Sequence, residues 1–109
     1  MEIRISDKYV ILTPLTPKID AAYCNRLFGE IKDNYTLDIG IDLSYVKDCT
    51  IEFIETLKQY NKVSLYNIPS DIFALINIMN IDKCVNLFVN ESDFRTKQRR
   101  ILNRRFSIV

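Results

Sequence analysis

The chain has 109 residues, fifteen Lys and Arg against fourteen Asp and Glu, and neither histidine nor tryptophan. This length suits a single domain over residues 1–109, and 48% apolar with 27% charged residues is a globular mixture, not a disordered one. Without histidine, Ser-His-Asp and Cys-His catalysis, histidine-ligated metals and histidine pH switches are excluded.

Cys24, Cys49 and Cys84 lie far apart, with no Cys-x-x-Cys, so zinc and thioredoxin-type sites have no support. Their odd number fits a reducing compartment better than a disulfide scaffold. Met1-Glu2-Ile3-Arg4 lacks the basic and then apolar run of a secretory leader. No apolar stretch approaches the ~18 residues of a membrane-spanning helix. The expectation is a soluble cytoplasmic domain that calls for no cofactor.

The first fifteen residues predict two strands. Ile3 and Ile5 alternate with charges, as on a half-buried edge strand. Ser6-Asp7-Lys8 supplies a turn, and Tyr9-Val10-Ile11-Leu12 reads as a strand buried on both faces. A helix follows from about Asp20 to Asn34, capped by Asp20 or begun earlier at Thr16-Pro17, with Cys24, Leu27, Phe28 and Ile31 inward.

Leu37 to Leu43 alternates as a strand, with Asp38 and Asp42 on the face opposite its apolar residues and Gly40 between them. These aspartates read as surface charges, not as a metal pair. After a loop, a second helix runs to about Asn61. Asp48 or Thr50 is its cap, Ile51, Ile54 and Leu57 point inward, and Glu52, Glu55 and Lys58 point outward. Val63 to Tyr66 is a fourth strand. A third helix opening at Pro69 or Ser70 turns Ile72, Leu75, Ile76 and Met79 inward. Val85 to Val89 is a fifth strand. Ser92 caps a last helix over about 92–106, with Phe94, Ile101, Leu102 and Phe106 apolar.

Strands separated by helices build a parallel sheet through right-handed crossovers. The first two strands are joined too closely for a crossover. The expected fold is therefore α/β: a mostly parallel five-stranded sheet with one antiparallel N-terminal strand at an edge, and about four helices.

Chemistry concentrates at Asp48-Cys49-Thr50, between a strand end and a helix start. Free N–H groups there would stabilise a Cys49 thiolate or a phosphate on Thr50. The plainer alternative makes Asp48 a cap, Cys49 a small core residue and Thr50 a packing hydroxyl.

Four segments carry a resemblance over about residues 3–95. They are Val10-Ile11-Leu12-Thr13-Pro14-Leu15 with Ile19-Asp20, Ile39 through Asp48, Val63 through Pro69, and Ile76 through Ile81. In order and spacing the chain resembles the STAS domain, the fold of bacterial anti-sigma factor antagonists. The resemblance implies a regulatory protein-binding domain without turnover. Its partner would be a serine kinase that is also the anti-sigma factor, or another regulatory assembly. In that family the kinase phosphorylates the serine after a motif aspartate, and the added charge breaks the complex. Asp48 matches that aspartate, Cys49 falls on the acceptor, Thr50 on the next Ser/Thr and Ile51 on a glycine. Asp20 matches the aspartate closing the second strand, and Pro17 stands where glycine is usual.

The motif Asp48-Cys49-Thr50-Ile51 is thus degenerate. Thr50 is the remaining phosphorylation candidate, and Asp20, Asp48, Cys49 and Thr50 form the expected partner-binding loop. Cys49 reads as a frozen acceptor, a redox thiolate or packing. Rival readings are a small-ligand or nucleotide sensor with a pocket of Tyr45, Thr13 and the Asp48 loop, a subunit of a larger complex such as a lipid transporter, and an enzyme with Cys49 as nucleophile.

Charge is divided unevenly. Residues 1–94 hold nine Lys/Arg and fourteen Asp/Glu, a net of −5, whereas residues 95–109 hold six bases and no acid, a net of +6. Arg95, Arg99, Arg100, Arg104 and Arg105 define a basic face, read either as solvated or as a contact for an acidic partner. Its mixture with core residues speaks against a nucleic-acid arm, and any membrane contact would be peripheral, through this helix.

Overall fold

The computed structural model describes residues 1–33, 36–60 and 62–97. Strands β1 (Glu2–Ile5) and β2 (Tyr9–Thr13) form an antiparallel hairpin, with Ile5 opposite Val10 and Glu2 opposite Thr13. Ser6 closes it: its hydroxyl accepts from the amides of Lys8 and Tyr9 at 3.2 and 3.1 Å. The chain continues through β3 (Lys18–Ile19), α1 (Ala21–Asp33), β4 (Asp38–Asp42), β5 (Asp48–Cys49) and α2 (Ile51–Leu57). It ends in β6 (Val63–Tyr66), α3 (Ser70–Ile78), a single 3-10 turn, β7 (Asn86–Leu87) and α4 (Glu91–Thr96).

The main sheet has the order β1-β2-β4-β6-β7, parallel except for β1 at the edge. This is the expected α/β architecture. Not foreseen is a second, two-stranded parallel ladder between β3 and β5. Two residues are too few to show a period, and Pro17 reads from sequence as an end to strand structure.

Alternation divides β2 between two cores. Val10 and Leu12 join Ile39, Ile41, Val63 and Leu65 beneath α1, α2 and α3. Ile11 points the other way, into a small cluster with Tyr66, Phe88 and Phe94 under α4. Phe94 stacks on Tyr66 with ring centroids 5.7 Å apart and meets Tyr9 and Phe88 edge-on at 5.9 and 6.0 Å. Gly40 gives this ring its seat, because a Cβ there would lie 2.7 Å from Phe94 Cε2. Arg4 ties β1 to α4 with two hydrogen bonds to the Glu91 carboxylate, at 2.6 and 3.2 Å.

Several expectations are corrected. On α2, Phe53, Ile54 and Leu57 are buried, while Ile51 is 53% exposed. At ~100° per residue those three share a narrow arc, and Ile51 lies roughly 110° from its centre. This helix closes at Leu57, with Lys58 as C-cap. On α3, Ile72 and Ile76 are buried, but Leu75 and Met79 only partly. The cap of α4 is Asn90, whose side chain accepts from the Asp93 amide at 2.9 Å, and not Ser92. Helix α4 closes on Lys97, in left-handed backbone at φ 57°. The expected continuation to 106, with Arg99, Arg100, Arg104 and Arg105, lies outside the described residues.

Candidate functional site

The β3–β5 ladder organises the region singled out by sequence. Lys18 stands opposite Asp48 and Ile19 opposite Cys49. Pro17 O accepts from the Lys47 and Asp48 amides at 2.8 and 3.1 Å, and Ile19 O accepts from the Thr50 amide at 3.0 Å. Both strands run directly into helices, so the ladder sets the starts of α1 and α2 side by side and brings Asp20 alongside Thr50. Asp20 caps α1, its carboxylate accepting from the Tyr23 amide at 2.9 Å. Tyr23 in turn holds the preceding loop, its hydroxyl accepting from the Leu15 amide at 3.2 Å.

Asp48 does not cap α2. Its carboxylate accepts from the amide of its neighbour Cys49 at 2.8 Å, which stiffens the approach to the helix. Thr50 occupies the cap position without a side-chain cap bond, and its hydroxyl oxygen is buried without a hydrogen-bond partner.

Cys49 points inward. It is 7% exposed and belongs to the main core with Cys24, Ile54 and Leu57. Burial, reinforced by the Asp48 charge, pushes its thiol up to about 11. A neutral, enclosed thiol is the reverse of an activated nucleophile or a peroxide-sensing thiolate, which need exposure and a lowered pKa. The packing reading accounts for this environment. All three cysteines are free thiols.

Exposed apolar side chains also occur in the segments that flank the ladder. Leu15, Tyr45 and Ile51 are 56, 61 and 53% exposed. Three segments joined by the β3–β5 ladder and its flanking hydrogen bonds carry them, with Lys18, Asp20, Lys47 and Asp48 exposed around them. Ile5, Ile78 and Val89 are exposed elsewhere on the molecule, and single exposed apolar residues are ordinary. The exposure of Ile51 is hidden in the sequence because Ile51 reads as inward at i, i+3 spacing.

The other predicted features separate from this junction. Thr13 is buried at the end of β2, and Tyr45 is exposed in a loop. A groove of about 570 Å³ runs between Lys8, Tyr9, Glu91 and Arg95. Asp42 accepts from the Ser44 amide and the Asn67 side chain, each at 3.0 Å, while Asp38 faces Lys97 at 3.6 Å. The two carboxylates are thus engaged with the protein, and no group of three or more metal-binding side chains occurs among the described residues. Arg95, the described member of the basic face, lies 3.6 Å from Glu91 and over the Tyr9 ring at 5.4 Å. No helix among the described residues is long and apolar enough to cross a membrane.

No family model matches the sequence, and no curated protein matches it. Solved structures do match. One is the crystal structure of a candidate anti-sigma factor antagonist from Thermotoga maritima, 19% identical, with a TM-score of 0.72. The likeness covers 91% of this chain and 94% of that one. The sheet order, the antiparallel edge strand and the helix placement, together with this agreement over almost the whole of both chains, show that the protein has the STAS-like fold.

Proposed function

We propose that the protein is a non-catalytic regulatory domain that binds another protein through the face formed by the β3–β5 ladder and the start of α2. The observation that carries this reading is the split character of the junction. Leu15, Tyr45 and Ile51 are exposed on the segments that flank the ladder, while Cys49, the residue at the acceptor position in the STAS resemblance, is buried in the core. The solved neighbour, described as a candidate anti-sigma factor antagonist, supports a protein partner of the anti-sigma kind, and the STAS resemblance adds a serine kinase activity to that expectation. Fold by itself does not name a partner.

In this reading the surface is kept and the switch is frozen. Neither the Cys49 thiol nor the Thr50 hydroxyl offers an accessible nucleophile, so the domain stays in its binding state when a kinase and nucleotide are present.

The test is affinity capture from the source cytoplasm, comparing the wild-type chain with Ile51→Asp. Capture of a kinase-type regulator by the wild type, and its loss with the variant, is expected. Equal capture by both chains contradicts the proposed face. Mass spectrometry after incubation of the captured complex with Mg-ATP should find residues 48–51 unmodified, and phosphate on Thr50 contradicts the frozen switch.

A further inference from the structure

Among the described residues strand β1 is paired on one side only, by β2, and all four of its residues are exposed. Such an edge usually carries a device against further pairing, such as proline, a bulge or an inward lysine. Glu2-Ile3-Arg4-Ile5 contains no proline or lysine, and its paired register with β2 is continuous. Its two charges are of opposite sign and alternate with isoleucine.

Residues directly opposite in an antiparallel pair share a face. Ile3 and Ile5, opposite Leu12 and Val10, therefore extend the main core face beyond the sheet edge, 39 and 65% exposed. Glu2 and Arg4 lie on the α4 face.

We infer that β1 pairs antiparallel with β1 of a second copy of this chain, about a two-fold axis at Ile3. A two-fold perpendicular to the sheet keeps each residue on its own face, so it can be centred only on a residue or an equivalent even register. Centred on Ile3, Glu2 of each copy meets Arg4 of the other, and Ile3 meets its own counterpart. Two ion pairs then form on one face and a continuous apolar strip on the other. Centring on Glu2 or Arg4 sets like charges opposite each other, and centring on Ile5 sets Asp7 against Ile3. Arg4 has the capacity for this role. Its two bonds to Glu91 use two of about five guanidinium donors. Four-residue edges make a contact smaller than the ~1,200–2,000 Å² of stable interfaces, so the dimer is weak and concentration-dependent.

Sedimentation equilibrium of the full chain at low salt, over a concentration series, tests this. A monomer–dimer equilibrium is expected. Glu2→Arg should weaken it about tenfold or more, because both cross-copy pairs become like-charged. Arg4→Glu should do the same, with circular dichroism confirming that the fold survives loss of the Glu91 contact. An equimolar mixture of the two variants should regain the dimer, since each cross-copy pair is then of opposite sign. A monomer at every concentration overturns the inference. So does a dimer indifferent to Glu2→Arg, or a mixture that associates no better than its components.

Discussion

Cys49 shows how far an environment can redirect a residue. At the start of a helix a cysteine is often activated, because free amides and the helix dipole favour the thiolate. Here the side chain turns into the core, where burial and the adjacent Asp48 carboxylate both favour the protonated form. With the thiol at about 11, Cys49 stays neutral from about pH 6 to pH 9, roughly two pH units below its titration. Native-state alkylation with iodoacetamide followed by peptide mass spectrometry should label exposed Cys84 first. Cys49 labelling should remain slow until the pH approaches its own titration range or the protein is unfolded. Rapid labelling of Cys49 at pH 8 would contradict this. From sequence Cys49 was legible as a position of interest with a core residue among its readings, but one residue carries no period, so the choice of the inward turn falls to the fold. Gly40 is the same lesson in reverse. The sequence marks a glycine amid alternating aspartates, and only the ring of Phe94, some fifty residues later, explains why a side chain is missing there.

At the level of elements, α2 separates the residues that hold the fold from those available to a partner. Phe53 is fully buried and stands 6.0 Å, centroid to centroid, from Phe28 of α1. Phe53→Ala should cost about 3–5 kcal/mol, the range for emptying an aromatic site in a core. Ile51→Asp should change stability by about 0.5 kcal/mol or less, since the position is exposed and an acid in the first turn suits the helix dipole. Urea denaturation of the two variants measures both. A large loss with Ile51→Asp would place that residue in the core and remove it from the proposed surface. The helix itself was legible through its apolar spacing, but its inward face was not. Ile51-Ile54-Leu57 and Phe53-Ile54-Leu57 both satisfy helical spacing, and the choice falls to Phe28 and the rest of α1. The ladder of β3 and β5 was illegible for a related reason: its stability comes from backbone pairing across some thirty residues, with two positions on each side.

For the whole molecule, the order of strands and helices was the most readable property. Each crossover needs a parallel neighbour, and the short Ser6–Lys8 link permits only a hairpin, so one antiparallel edge strand follows from connectivity. The near-neutral net charge of +1 averages an acidic body and a basic C-terminal stretch. Within the described residues Arg95 and Lys97 are engaged with Glu91 and Asp38, and both lie over aromatic rings of the α4 cluster. Arg95 and Lys97 thus have partners of their own beside the groove of Lys8, Tyr9 and Glu91, whereas Leu15, Tyr45 and Ile51 stay exposed in the segments flanking the β3–β5 ladder. The proposed function places partner binding at the β3–β5 junction, away from α4. Hydrogen–deuterium exchange of the chain, alone and saturated with its captured partner, tests the assignment most directly. Protection should concentrate in residues 15–20 and 44–52, with α4 unchanged. Protection confined to α4 and the groove beside Tyr9, with residues 44–52 exchanging as in the free protein, would contradict it.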